Sequence, residues 1–388
     1  MPPRLPVMRP RLPDRAAISP YLDAIDANRW YSNNGPLLTE FEGRLARRYG
    51  PSERTVIGVA NGTCAVALAL LAQRPAPGGW CLLPSFTFAA TVHAAVMAGL
   101  RPYFLDVEAD SWALSPSAVR AMIEALRARG ETVAACVPVT PFGAPLDPAP
   151  WAAIKAETGV AVAIDAAAAF STVKLSSVPT AVSLHATKDL GVGEGGFVLW
   201  DDEDGVAWIR RLTNFSFDDE RVAVAFAMNA KMSEYHAAVG CAALDQWETR
   251  SARLAHLARL CRAAVAPISG VSLQAGWGES WQSATWNVET IAPAPTLIDR
   301  LDREFNIEAR RWWATPCHEM PIWADAPHVA ARVTHRLATH VLGLPFHEDL
   351  DAPAAARIAE AVRTCIGDVR DSQAPPSAPR AKRAQGRA

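Results

Sequence analysis

A short segment of this chain holds the residues best suited to covalent chemistry. Ser183-Leu-His185-Ala-Thr-Lys188 closes an apolar run, and Asp-Leu-Gly191-Val-Gly193-Glu194-Gly195-Gly196 carries the chain into the next one. A lysine amine held out of bulk water is a nucleophile that captures an aldehyde as an imine. The chain has only five lysines (Lys155, Lys174, Lys188, Lys231 and Lys382), so such chemistry has few possible seats. Gly191-x-Gly193-x-x-Gly196 matches a dinucleotide-binding fingerprint in letters only. That fingerprint must open a helix, whereas Phe197-Val-Leu-Trp200 reads as a strand.

A lysine beside glycines is ordinarily a solvated loop residue, and its company changes the reading. Val160-Ala-Val-Ala-Ile164 ends in Asp165, which by itself is equally a strand-end turn residue. Ala60-Asn61-Gly62-Thr63-Cys64 joins a strand to a helix with small residues, as a simple N-cap or as a phosphate cradle of backbone N–H groups. Pro84-Ser85-Phe86-Thr87-Phe88 follows another strand and offers an aromatic plate, or alone only core. Together, lysine, aspartate, cradle and ring are what pyridoxal 5'-phosphate needs. The lysine takes the aldehyde, the aspartate keeps the pyridine nitrogen protonated so the ring accepts electrons, the helix start meets the phosphate, and the aromatic stacks.

The elements that must position these groups alternate. Strand-like runs Val56–Val59, Trp80–Leu83, Pro102–Leu105, Val133–Val137, Val160–Ile164, Thr180–Leu184 and Gly196–Leu199 are separated by helical stretches Thr63–Ala72, Ala89–Ala98, Pro116–Ala128 and Pro148–Glu157. Such alternation predicts an α/β fold, a large domain with a mainly parallel sheet sandwiched by helices, binding ligands at the strands' carboxyl ends. Residues 1–250 then form a proline-punctuated arm, with a short helix around Tyr21 to Asn28, and the large domain. A long alanine-rich helical region around Met228 to Ala263 leads out, placing Lys231 on a helix. Residues 251–370 read as a smaller C-terminal α/β domain and 371–388 as a disordered tail rich in Pro, Ser, Ala and Arg.

Composition removes other classes. Of 388 residues, 50% are apolar and 20% charged, with net charge −2, which excludes a disordered chain and gives no basic surplus for nucleic acid. Seven scattered cysteines with no CxxC pair argue against a disulfide framework and for the cytoplasm. No run of about 18 apolar residues predicts a membrane span, and Met1-Pro-Pro-Arg-Leu-Pro is not a signal peptide. Nine histidines, four of them His328, His335, His340 and His347, show no paired short spacing, so no metal site is expected.

The chain resembles the nucleotide-sugar aminotransferases of the DegT–StrS type, fold-type-I pyridoxal phosphate enzymes with an aspartate-aminotransferase-like fold, over about residues 5 to 367. The resemblance is carried by Trp30-Tyr31-Ser32 with Gly35-Pro36 and Phe41-Glu42, Asn61-Gly62-Thr63, Pro84–Phe88, Phe142-Gly143 with Asp147, Asp165-Ala-Ala and His185-Ala-Thr-Lys188 with Gly193-Glu-Gly-Gly196. Asn229-Ala-Lys231-Met232-Ser233-Glu234 and Leu342-Gly-Leu-Pro345 follow.

By position, the resemblance makes Lys188 the imine-forming lysine, Asp165 the pyridine partner and Phe88 the stacking ring. Gly62, Thr63, Cys64 through its N–H, and Ser183 would meet the phosphate. Asn229 would reach the phosphate of a neighbouring subunit, implying a homodimer with shared active sites. The chain departs from the family at Ala168, where relatives carry Gln or His, and at Thr140-Pro-Phe142-Gly143 in place of His-x-Tyr-Gly.

The implied activity is transfer of an amino group from an amino acid, glutamate by family habit, to a nucleotide-linked keto-sugar. Related dehydratases carry His at the lysine position, so Lys188 disfavours that reading; a non-catalytic cofactor- or sugar-binding regulator is the alternative from another class. His185 either orients the lysine loop or is structural. Lys231, the rival lysine, reads as solvated or interfacial. Trp312-Trp313 after Arg310-Arg311 reads as core, or as a nucleotide-diphosphate subsite.

Overall fold

The structure, a computed structural model, describes residues 3–373. Twelve helices of four turns on average or fewer surround two sheets: α1 (Arg15–Asn28), α2 (Pro36–Tyr49), α3 (Gly62–Leu71), α4 (Ala89–Met97), α5 (Pro116–Ala128), α6 (Ala149–Thr158), α7 (Glu203–Leu212), α8 (Glu234–Asp245), α9 (Trp247–Val265), α10 (Ala294–Phe305), α11 (Arg332–His340) and α12 (Ala352–Gln373). The large sheet is built from β1 (Val56–Val59), β2 (Trp80–Pro84), β3 (Arg101–Leu105), β4 (Val133–Cys136), β5 (Ala161–Val162), β6 (Ile164–Asp165), β7 (Thr180–Ser183) and β8 (Gly196–Leu199).

Strands run β3-β2-β4-β5 and β6-β7-β8-β1, and the two halves join through the chain itself at Ala163, which divides β5 from β6. Only β8 runs against the direction shared by the other strands. Pro138, which cannot donate to a ladder, ends the regular pairing of β4. Its carbonyl still accepts the Asp165 N–H at 2.9 Å, so the end of β6 is held beside residue 138. The mainly parallel sheet with helical cover matches the expected fold.

The helix boundaries depart from expectation where long-range contacts decide them. Helix α1 begins earlier, because the Asp14 carboxylate caps it by accepting the Ala17 N–H. The alanine-rich region is extended until Ser233 caps α8, so Lys231 is not helical. It bridges Val59, and its Nζ donates to Asn214 and Asn229, 2.7 Å each.

Helix α2, opened by Gly35-Pro36, is anchored from far along the chain. The buried Glu234 carboxylate accepts the Leu37 and Leu38 N–H groups at 2.8 and 3.0 Å. It thereby meets two of the donors that every helix start leaves unpaired. Glu234→Ala is expected to leave both donors buried without an acceptor and to destabilise the fold by about 2–4 kcal/mol, read as a lower urea midpoint at unchanged slope.

The small sheet is antiparallel, β9 (Val271–Leu273), β10 (Trp286–Thr290) and β11 (Val341–Leu344) in the order β11-β10-β9. Helices α9, α10 and α12 bury one apolar cluster with it, including Leu257, Leu297 and Val362. Helix α9 starts at Trp247 in the large-domain core and continues through Leu254 and Cys261 into the small one. The N-terminal arm packs on the small sheet's side, with Leu5 bridging Ile307 and Val7 accepting the Phe346 N–H. Residues 316–340 return to the large domain: Pro327–Val329 pair with Phe104 of the edge strand β3. Asp371–Gln373, expected in the tail, belong to α12; residues 374–388 lie outside the described residues.

Candidate active site

The parallel strands deliver their following residues to one cavity of about 600 Å³. From the start of α3 come Gly62 and Thr63, from the loop after β2 Thr87 and Phe88, from the ends of β6 and β7 Asp165 and Ser183, and from the turn after β7 Lys188. A Cβ built on Gly62 would stand 2.8 Å from the Ser183 Cβ, so only glycine lets the helix start approach Ser183 this closely. That approach sets backbone N–H groups and a hydroxyl together, the donor set that an anion at a helix N-terminus requires.

Asp165 is buried, and both its oxygens are employed. Oδ2 accepts the Thr91 hydroxyl at 2.6 Å and Oδ1 the Ala167 N–H at 3.1 Å. Burial raises its pKa, opposed by those two hydrogen bonds and by Lys188. Burial lowers the Lys188 ammonium pKa, opposed by Asp165 and then Asp189. The lysine is therefore easier to deprotonate than a surface lysine, and a buried carboxylate faces the same space. A group with an aldehyde, a basic ring nitrogen and a phosphate fits this donor set.

Phe88 sits at the start of α4 with 62% of its surface exposed, although Phe86 two residues earlier is buried. An exposed ring on a cavity wall is a plate for a flat ligand. Opposite departures pack together: Gly143, at φ +91°, lies against the Ala168 carbonyl, and Phe142 stacks on Trp313 with centroids 4.1 Å apart. Trp312 and Trp313 are thus cavity wall as well as packing. Neither nearby arginine lines the cavity: Arg310 bonds Glu308 and Arg311 donates to the Ala338 carbonyl.

His185 and Thr187 bond through Nδ1 and Oγ1 at 2.8 Å, bracing the turn that ends in Lys188. Cys64 does not line the cavity, and its N–H is donated to the Asn61 side chain at 2.8 Å, so the cap uses the donor that was expected to face a phosphate. Asn229 is exposed and lies outside this chain's cavity, as does Lys231. Thr91 carries no motif of its own; its spacing of four from Thr87 on a helix start, with the two hydroxyls 2.9 Å apart, is the signal that would have found it.

The family model described as the DegT/DnrJ/EryC1/StrS aminotransferase family matches residues 14–363. The chain belongs to that family. The aminotransferase is 27% identical over 369 residues to the dTDP-4-amino-4,6-dideoxy-D-glucose transaminase of Shigella dysenteriae, covering 92% of this chain and 98% of that one. Its fold matches DesI, solved in the presence of its TDP-sugar product, with TM-score 0.84 and 30% identity over 95% of this chain and 94% of that one. A DegT DnrJ EryC1 StrS aminotransferase from Brucella abortus matches with TM-score 0.82 and 25% identity, covering 91% and 96%. The cofactor is pyridoxal phosphate, as the sequence led one to expect, and the fold is of type I.

Asp189, adjacent to the lysine, is buried, and its pKa is pushed up to about 7 by burial, opposed by the Ala284 N–H, Ser171 and Arg250. An acid whose folded pKa exceeds its unfolded value makes the protein bind more protons folded than unfolded. Stability therefore falls as pH rises from about 4 to about 7 and stays low above. Asp189→Asn is expected to remove that fall and raise the melting temperature at pH 8 far more than at pH 5. The difference is at most about 4 kcal/mol for a shift of this size.

Proposed function

We propose that this aminotransferase moves an amino group from an amino-acid donor, glutamate by family habit, onto the keto carbon of a nucleotide-linked sugar. The observation that carries the reading is the convergence of Lys188 and Asp165, from two different strands, on one cavity beside the Gly62 helix start. Pyridoxal phosphate, when bound, supplies an aldehyde and a ring that accepts electrons.

In this reading Lys188 would hold the group through its aldehyde carbon, and its amine, once freed by the amino-acid donor, would carry the proton between the amino-bearing carbon and that former aldehyde carbon. Asp165, fixed by Thr91 and Ala167, would keep the ring nitrogen protonated. Gly62, Thr63 and Ser183 would meet the phosphate with N–H and O–H donors, while the Cys64 N–H is kept by the Asn61 cap, and Phe88 would cover one ring face.

Two chains complete each other's sites in the same proposal. Residues 213–229 form an outward loop bridged at Phe217 and Ala223, with Phe215, Val222, Val224 and Phe226 exposed. An apolar surface of this kind fits a partner subunit, and in this reading Asn229 at its end would reach the phosphate of that neighbour. Among the described residues no disulfide joins any of the seven cysteines, in keeping with the cytoplasmic localisation we propose. Among the described residues no helix is long and apolar enough to cross a membrane.

The test takes purified, cofactor-loaded protein and amino acids in turn, following the cofactor's absorbance from its aldehyde to its amine form. Nucleotide keto-sugars are then added and products weighed by mass spectrometry. Conversion with glutamate and an aminated sugar are expected. No conversion with any amino acid would favour the non-catalytic regulator instead.

A further inference from the structure

Histidine spacing along the chain points to no metal site, because the ligands come from separate segments that only the fold joins. A 3-10 turn, Cys317–Glu319, presents His318 and Glu319 side by side, and the first turn of α11 presents His335. One ligand atom from each of these three residues lies within 4.8 Å of the others. None of the three lines the cofactor cavity.

The surroundings are those of a held ligand set. His318 is buried, and its Nδ1 is 2.5 Å from the Ser85 hydroxyl, which also accepts the His318 backbone N–H at 3.3 Å. A ligating histidine characteristically has its second ring nitrogen fixed this way, and here Nε2 is the nitrogen left to ligate. His328, carried in by the pairing of residues 327–329 with β3, stacks on the His318 ring with centroids 4.4 Å apart. The start of α11 is fixed by Asp106, whose carboxylate accepts the Val333 and Thr334 N–H groups and the Thr334 hydroxyl. Asp106 is thereby spent as a cap.

Glu319 and His335 are exposed, and Nε2 and Oε1 already meet at 2.7 Å. Ligand atoms around a tetrahedral ion stand about 3.4 Å apart at ordinary zinc bond lengths. Holding one ion would open the Glu319–His335 contact to that spacing while both exposed side chains turn toward the fixed His318. Two imidazoles and one carboxylate form a nitrogen-rich set that suits zinc, cobalt or nickel and not magnesium or calcium, which prefer oxygen alone.

We propose that His318, Glu319 and His335 bind one divalent transition-metal ion of the zinc class, outside the cofactor cavity. The ion would tie the 317–319 turn to α11 on the edge of the large sheet, with Ser85 in the loop that leads to Phe88 as its outer support. Water would complete the coordination at the exposed side.

The experiment uses tag-free, cofactor-loaded full chain, stripped with chelator and dialysed, then titrated with zinc chloride by calorimetry and with cobalt chloride by visible absorption. One ion per chain is expected, with magnesium and calcium inert. His335→Ala and Glu319→Gln should each weaken zinc binding at least tenfold while leaving the melting temperature in chelator unchanged. His256→Ala, on an exposed face of α9, should bind as the parent does. No zinc binding at millimolar concentration would overturn the proposal, as would equal affinity in the His335 and Glu319 variants.

Discussion

Lys188→Ala is expected to abolish transamination and the visible absorbance of lysine-bound cofactor, with a loss of at least about 10⁴-fold in rate, because in the proposed function the same amine both holds the aldehyde and moves the proton. The fold should survive. Lys188 is a cation whose burial lowers its pKa, so removing it removes a desolvated charge and leaves no partner that depends on it for satisfaction: Asp165 keeps Thr91 and Ala167 as donors. A melting temperature equal to or above that of the parent, alongside the lost activity, separates chemistry from stability. Borohydride reduction of the parent followed by peptide mapping provides the second readout. The label is expected on the peptide containing His185-Ala-Thr-Lys188. A label on Lys231 would move the site. Its amine is engaged by two asparagines outside the cavity, so that outcome would require the loop to rearrange.

How far the sequence reaches is clearest at the lysine and at α2. All seven apolar runs became strands of the large sheet, because each is a short, continuous apolar stretch bounded by turn residues and needs no distant partner to be recognised. The lysine, the aspartate and the glycine-marked helix start follow those strands directly, so the rule that ligands sit at their carboxyl ends brought them together. Helix α2 escaped because Gly35-Pro36 marks only a start, while its first-turn donors are met by Glu234, far along the chain. Thr91 escaped for a similar reason: its partner, Asp165, is 74 residues away. An alanine-rich composition puts Lys231 on a helix because it ignores that Ala230 and Lys231 pair with the end of β1. The His318, Glu319 and His335 cluster is the extreme case, since the turn and α11 meet only after residues 316–340 fold back onto β3.

Asp165→Asn and Asp165→Ala are expected to diverge in stability and agree in chemistry. Asparagine keeps the shape, and its carbonyl oxygen can still accept one of the donors now held by the carboxylate; alanine leaves the Thr91 hydroxyl and the Ala167 N–H without it in a buried place. The alanine variant should therefore lose more stability than the asparagine one, by roughly 1–3 kcal/mol. Both variants lose the negative charge, and with it the means to keep a ring nitrogen protonated as electrons flow into the ring. Loss of one preorganised electrostatic partner of a transition state costs roughly 10²–10³-fold in turnover. Cofactor binding should weaken less, because Gly62, Thr63 and Ser183, the proposed phosphate donors, and Phe88, the proposed plate, are untouched. Thr91→Val, which spares the charge and removes one hydrogen bond to it, should sit between the parent and Asp165→Asn. Single-turnover kinetics with saturating cofactor measures the series. If Asp165→Asn turned over like the parent, the carboxylate would be a structural strand-end acid, and the electron sink would have to draw its proton from another group.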